Sequence, residues 1–320
     1  MKKVFFLFMV LLLVTSVSIA GTAQQTIFLI MGTGGTAGTY YPYGGAICQL
    51  FNENVPNVNA TAQATGASVE NMRLLNRGEI ELALTQNDIA DYAIKGIEFF
   101  QEPITNFSGI ACLYPEVIQV MTARDSDIDS IADFGGKRIS VGAPGSGNEA
   151  NARQILGVYG FDYENTDVLV PYYLSYAESA ELYKDRLLDA LILTTGVPSP
   201  AIMDVASMHP IKMVSIEKEM REKIRNEFPF FVDVTIPAGT YQGQDEEVET
   251  IAVLATLVVH NDLSEEVVYN LTKTLFEKQE DLIQGHAKGA DLDLETAIDG
   301  FTIDIHPGAA RYYREVGLME

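Results

Sequence analysis

Two glycine-rich stretches carry residue types from which an anion site can be built without a charged side chain. Gly32-Thr33-Gly34-Gly35-Thr36-Ala37 lies between an apolar run and a helical pattern, and Gly142-Ala-Pro-Gly-Ser-Gly-Asn-Glu149 repeats the arrangement further on. Such loops bring free N–H groups and the positive end of a helix to one point, which suits a carboxylate. Neither contains Lys or Arg, so an anion there would be held by amides and by hydroxyls such as Thr36 and Ser146. Two such helix starts in two α/β units suggest two walls of one cleft, although each alone also reads as an ordinary tight turn. Asp88 and Glu149 sit at the same kind of helix start. Facing the cleft they would suit an ammonium group; otherwise they cap their helices. A carboxylate and an ammonium on one small molecule describe an amino acid, whose polar side chain Gln86, Asn87 and Asn148 could read. The rival ligand is a non-amino dicarboxylate such as 2-oxoglutarate.

Other motifs carry less. The first stretch fits the G-x-G-x-x-G/A dinucleotide fingerprint. A nucleotide-binding unit also wants an acidic residue ending the next strand, to hold the ribose, and here that strand runs into Thr65-Gly66. Asp133-Phe-Gly135 has no kinase lysine or catalytic-loop sequence beside it. Ser146 lacks the G-x-S-x-G frame, and no histidine is near it in sequence. His209, His260, His286 and His306 show no metal-ligand spacing. Asp88 and Glu149 are the one carboxylate pair open to acid–base work, but they also read as caps. An enzyme would need a nucleophile–base pair that the sequence does not assemble. No cofactor, no metal and no catalytic residue is expected.

The elements that must position these groups alternate. Thr26–Met31 reads as a strand, followed by the first loop and a helix from about Tyr41 to Asn52. Asn57–Ala64 alternates like a strand, and Ser68 can N-cap a helix to Arg77, with Gly78 as its stop. Glu81–Leu84 is a short strand before a helix over Asp88–Lys95. Later, Arg138–Val141 is a strand, Asn148–Tyr159 a helix, and Val168–Val170 and Leu188–Leu193 strands around a helix near Ser175–Lys184. Ile251–Val259 is an apolar strand; Asp262 and Ser264 offer caps for a long helix to about Ile283. Strands alternating with helices mean βαβ units and mainly parallel sheets.

The ends and the bulk composition set the context. Lys2 and Lys3, the apolar run Val4–Val14 and the small residues up to Ala20 or Ala23 read as a cleaved signal peptide over residues 1–23, which implies export to the periplasm. No later stretch reaches the roughly 18 apolar residues of a membrane span, so the mature chain is expected not to be membrane-embedded. Roughly 300 residues remain, too many for one typical core and suited to two lobes. Lys and Arg number 21 against 44 Asp and Glu, a net charge of −23. Such a surface repels nucleic acid and anionic lipid. Cys48 and Cys112 each lie in an apolar segment and read as buried thiols.

Taken together, several segments resemble the TAXI class of solute-binding proteins, which serve tripartite ATP-independent periplasmic (TRAP) transporters. The resemblance runs through Met31–Gly45, Gly66–Leu75, Leu84–Asp88, Leu113–Val117, Val141–Glu149, Pro229–Phe231, Ile236–Tyr241 and His306–Arg314, in consistent order along nearly the whole mature chain. It implies an α/β, two-lobed periplasmic-binding-protein fold, each lobe a mainly parallel sheet flanked by helices, with a ligand cleft between lobes that close by a hinge. It also implies a TRAP membrane permease as partner and a carboxylate ligand, glutamate and glutamine among those of the class. Members often carry Thr or another small residue where this chain has Asn148, so the second loop could touch a different ligand group.

On this reading lobe one comprises 24–118 and 251–320, and lobe two 119–250, with 216–250 assignable to either. The chain would cross near Glu116–Thr122 and return near Ile251–Leu257. Strand C-termini and helix starts face the crevice of open α/β sheets. That selects Gly34, Gly35, Thr36, Tyr40, Gln86, Asn87 and Asp88 from lobe one. From lobe two it selects Gly145, Ser146, Gly147, Asn148, Glu149, Thr194, Thr195 and Gly196. Tyr114 and Phe230 are weaker candidates, since an exposed aromatic is more often rim packing. The function expected is capture of a small carboxylate or amino acid for a transporter. A ligand-sensing module is the other non-enzyme reading; it would need a kinase or cyclase region, and none follows before Glu320.

Overall fold

The computed structural model describes residues 26–162 and 168–320; the signal peptide read over residues 1–23 lies outside them. The chain opens with three βα units: β1 (Ile27–Gly32), α1 (Tyr40–Asn54), β2 (Val58–Gln63), α2 (Ser68–Asn76), β3 (Leu82–Gln86) and α3 (Asn87–Lys95). A strand of 17 residues, β4 (Phe107–Ala123), leads away from them. Three further units follow: β5 (Arg138–Ser140), α4 (Gly147–Val158), β6 (Val170–Tyr172), α5 (Tyr176–Lys184), β7 (Ala190–Thr195) and α6 (Pro200–Met208). Then come β8 (Ile211–Val214), α7 (Lys218–Glu227), β9 (Val232–Ile236) and the returning strand β10 (Val248–His260). Helices α8 (Glu265–Glu277), α9 (Gln279–Gly285) and α10 (Pro307–Glu315) complete the chain.

Helical crossovers return each strand parallel to the last. Accordingly β1 is parallel to β2 and β3, and β5 is parallel to β6 and β7. The strand order is β2-β1-β3-β10-β4-β7-β5-β6, with β8 added on β4 and β9 on β10. The two parallel triplets are thus joined by an antiparallel pair. β10 serves β3 with Ala255–Val259 and β9 with Val248–Ala252. β4 serves β7 with Val117–Thr122, while its first half pairs β10. Both strands thus pair with neighbours from each triplet's side of the sheet.

Each half is an apolar sandwich. Around β1 and β3, Tyr43, Ile47, Phe51, Leu271 and Tyr313 pack on one face, and Val69, Met72, Leu75 and Ile89 on the other. Around β5 and β7, Ile139, Ile155, Leu156 and Ile224 cover one face, and Ala180, Ile202 and Val205 the other. Burial of each large side chain contributes about 1.5–3 kcal/mol. Cys48 and Cys112 are buried and unbonded. Among the described residues, no helix is long and apolar enough to cross a membrane.

The ladder is interrupted where the strands change lobes. Pro115 has no N–H to give. Leu254, its partner in register, gives its own N–H to Asn87 Oδ1 at 3.1 Å, and the register shifts between Ala255 and Thr256.

The close packing of α10 on α8 gives a test of this core. A Cβ at Gly308 would meet the carbonyl oxygen of Glu265 and lie 2.6 Å from the backbone nitrogen of Tyr269. Gly308→Ala must therefore push the helices apart, at about 1–3 kcal/mol. Scanning calorimetry should show a lower melting temperature; an unchanged one would mean that α10 shifts at no cost.

Candidate functional site

The carboxyl ends of all six parallel strands open on one cavity of about 140 Å³. Gly34, Gly35, Gly38, Thr39 and Tyr40 line it after β1, Thr65 to Ser68 after β2, and Gln86 at the end of β3. Ala143 and Ser146 to Asn148 line it after β5, Ser175 and Tyr176 after β6, and Thr194 and Thr195 at the end of β7. Glu116, from the crossing strand β4, completes the wall. A cavity of roughly 150 Å³ holds a molecule the size of benzene, so the space suits a small solute.

Five helices begin at this cavity. The first four N–H groups of a helix have no partner inside it. Ser146 caps α4 by accepting from Glu149 N at 3.1 Å, and Ser175 caps α5 by accepting from Glu178 N. No side-chain cap closes α1, α2 or α3. No Lys, Arg or His is among the described residues that line the cavity. Positive potential there comes from helix ends alone, which is an environment for an anion. Ala67, at the cap position of α2, has φ 72° and ψ −148°. That region is essentially confined to glycine and costs about 1–3 kcal/mol. The strain is held at the cavity wall.

Glu116 is 4% exposed and accepts a hydrogen bond from the Tyr40 hydroxyl. Burial pushes its carboxyl from an ordinary value of 4.5 up to about 8, against the donors Tyr40 and Gln86, which favour the charged form. Burial thus favours the protonated form of Glu116. Gln86 Oε1 and Thr194 Oγ1, also on the wall, are buried with no hydrogen-bond partner.

The two halves touch across the cavity. Thr39 Oγ1 and Thr195 Oγ1 are 3.0 Å apart. A Cβ at Gly38 would lie 3.3 Å from the Tyr176 ring, and one at Gly147 would collide with the Gln86 amide. Behind the cavity the halves meet again. Asn151 Nδ2 donates to Asp88 Oδ2 at 2.9 Å, and Gln154 Nε2 to the Tyr92 hydroxyl at 2.9 Å.

Of the residues selected from sequence, Gly34, Gly35, Tyr40, Gln86, Ser146, Gly147, Asn148, Thr194 and Thr195 line the cavity. The others do not, each for a local reason. Thr36 is exposed on the outer side of its loop. Asn87 serves the crossing, accepting from Leu254 and donating to Gly300 O. Asp88 is buried on Asn151 and on the N–H of Ile89, and Glu149 lies beside Arg153, 3.6 Å away. Neither acid faces the cavity. Tyr114 packs edge-on to Tyr43, and Phe230 edge-on to Tyr92. Gly145 makes the turn before α4 with φ +75°, and Gly196 sits under Thr39 and Lys288.

Two side chains act differently from their reading. Asn148 lines the cavity, but its amide donates to Val141 O and Ile192 O and accepts from Thr194 N, tying β5 to β7. Its polar atoms are spent on the fold. Ser68 is the first residue of α2 rather than its cap, and its hydroxyl accepts from Gln86 N. Sequence reasoning missed Gly38, Thr39, Thr65, Gly66, Ala67, Ser68, Ala143, Ser175 and Tyr176 as wall residues, and above all Glu116. Two signals were present. Ser175-x-x-Glu178 is a capping box, and Glu116 is a lone carboxyl inside the apolar run Leu113–Met121.

With this geometry in hand, comparisons with known proteins are informative. A family model described as the NMT1-like family matches residues 31–317. Among solved structures, a protein of Listeria monocytogenes described as an L-cystine ABC transporter superposes with a TM-score of 0.53 at 14% identity, over 83% of this chain and 98% of that one. The ligand-binding component of an ABC-type import system from Staphylococcus aureus superposes with a TM-score of 0.51 at 13% identity, over 92% and 93%. At such identities the likeness is one of fold: two α/β lobes with a cleft between them.

Two outcomes are expected of the site. A carboxyl whose folded value is raised keeps its proton in the folded chain while the unfolded chain has lost it, so stability falls as pH rises through the interval, here from about 4.5 to about 8. Glu116→Gln removes that loss. Its melting temperature, followed by circular dichroism, should drop less than that of the parent between pH 5 and pH 8. The gap should widen by up to about 1.4 kcal/mol per pH unit. Parallel curves would refute the assignment of a buried neutral acid. Gly147→Ala should hold the halves apart at Gln86 and weaken solute binding about tenfold, with little change in melting temperature. Unchanged affinity would show that the contact is not needed for closure.

Proposed function

The chain belongs to the NMT1-like family, and we propose that it is an extracytoplasmic solute-binding receptor. It captures a small carboxylate between its lobes and delivers it, chemically unchanged, to a membrane transporter. The observation that carries this reading is the convergence of three uncapped helix starts on a cavity lined by no cationic side chain among the described residues. The cavity is walled by both halves of a chain whose connecting strands can bend at a broken ladder. Ligand contacts to both lobes would stabilise the closed form relative to the open one.

The finer reading follows from the chemistry of the wall and from the segments that resemble the TAXI class. The solute is an amino acid, glutamate or glutamine. The recipient is a TRAP-type permease in the cytoplasmic membrane, and the chain works in the periplasm. Lobe one is assigned to residues 24–118 and 251–320, and lobe two to 119–250. The ligand-binding residues are the selected residues that line the cavity, with Glu116 and Tyr176 added. A dicarboxylate without an amino group, such as 2-oxoglutarate, is the second reading. It is favoured by the burial of Glu116 on the cavity wall, which raises its carboxyl toward a form that donates to a second carboxylate.

A binding panel tests the reading. L-Glutamate, L-glutamine and 2-oxoglutarate are added to the purified mature chain. Scattering and thermal unfolding are followed together. A true ligand at about 100 times its Kd adds about 2.7 kcal/mol of stability and should raise the melting temperature by about 5 °C. It should also reduce the radius of gyration. A saturating ligand that leaves the radius unchanged would count against closure. Conversion of the ligand, seen by mass spectrometry after hours of incubation, would replace the receptor reading with an enzymatic one.

A further inference from the structure

We propose that Glu116 is the cation receptor of the cavity, and that capture of an ammonium-bearing solute expels the proton of Glu116 into solvent. The inference rests on the receptor reading above and assigns to Glu116 the part expected of Asp88 or Glu149. Those two acids are not on the wall. Glu116 is the carboxyl that is, among the described residues that line the cavity.

The groups around it favour an ammonium over a second carboxylate. Tyr40 already donates to Glu116. Gln86 Oε1 and Thr194 Oγ1 share the same wall, are each 2% exposed, and have no hydrogen-bond partner. A buried acceptor without a donor is costly. An ammonium brings three N–H donors and no acceptor. Gln86 Oε1 can only accept, so a solute that brings donors to this wall suits it, whereas a carboxylate would set oxygen against it; the Thr194 hydroxyl, which donates as well as accepts, suits either. The helix starts α1 and α2 remain free for the solute's own carboxylate.

The charged and titratable neighbours do not supply a rival cation. Tyr40 approaches from α1, Tyr114 from β4 itself, Tyr176 from α5 and Asp88 from α3. Lys288, between α9 and α10, lies over the Tyr114 ring at 5.8 Å, is paired with Asp291 and is not among the residues that line the cavity. An ionised Glu116 in the empty cavity would thus be a desolvated charge without a counter-ion, which a carboxyl avoids by keeping its proton. When the ammonium enters, the O–H bond of Glu116 breaks and its electron pair stays on the carboxylate. The proton passes to solvent and the ammonium keeps all three of its own. The Glu116 subsite is neutral before binding and neutral after it.

Titration calorimetry at pH 6.5 in phosphate and in Tris, buffers of very different ionisation enthalpy, reads the proton directly. The probes are L-glutamine, L-glutamate and 2-oxoglutarate on the full mature chain. For the amino acids the proposal expects about one proton released per solute bound. Glu116→Gln should abolish the release and weaken binding at least tenfold. Tyr40→Phe, which keeps the acid, should retain the release. Amino-acid binding with no proton exchange in the parent chain would overturn the proposal while leaving the receptor reading intact, and that result does not depend on any variant folding. Binding of 2-oxoglutarate alone would overturn it in the same way. If none of the three probes binds, the carboxylate-receptor reading fails, and this inference fails with it.

Discussion

The backbone hydrogen bonds of β4 and β10 decide what the rest of this molecule can be. Two strands that run through both lobes must satisfy their polar groups in each, yet cannot form one stiff ribbon if the lobes are to move. The chain resolves this at one level. Pro115 withdraws a donor, Asn87 takes the N–H of Leu254, and the register slips beside it. The N–H of Leu254 is satisfied by a side chain rather than by a neighbouring strand, so it is not left orphaned where the register slips. Glu116 is the next residue after Pro115. The carboxyl on the cavity wall is therefore mounted next to the point where the register slips.

Charge in the cavity follows an economy suited to a strongly acidic chain. With 44 acidic residues against 21 basic ones, a cationic side chain in the cleft would find partners on the surface of its own protein. Backbone dipoles cannot be diverted in that way. They are fixed by the helices, they are weaker than a full charge, and they act at short range. Such a site holds an anion firmly only where water is excluded.

Much of this was legible in sequence, and the reasons are local. Hydrophobic runs bounded by glycine marked the strands, and capping residues such as Ser264 and Ser175 marked helix starts. Those signals depend on near neighbours in the chain. The order of the βα units then implies where strand ends must point. What could not be read depends on distant neighbours. Asp88 and Asn148 have the right chemistry and the right helical position, but each is claimed by a partner from elsewhere in the chain: Asp88 by Asn151, and Asn148 by the carbonyls of Val141 and Ile192. Glu116 escaped because an extended apolar segment was read only for its reach between lobes. A single carboxyl in such a run asks for a counterpart, and here none of the neighbouring side chains is cationic.

The bonds behind the cavity carry a consequence for how such proteins can be recombined. Asp88 and Tyr92 of α3 meet Asn151 and Gln154 of α4 in a buried polar seam. Each partner would be left orphaned by a foreign face. A lobe grafted from a relative would keep its own packed interior and its own loops, yet meet this seam with mismatched donors and acceptors. The unit of exchange between relatives is therefore the lobe together with the two side chains that oppose its own two, and chimaeras designed to mix solute specificities have to keep that quartet matched.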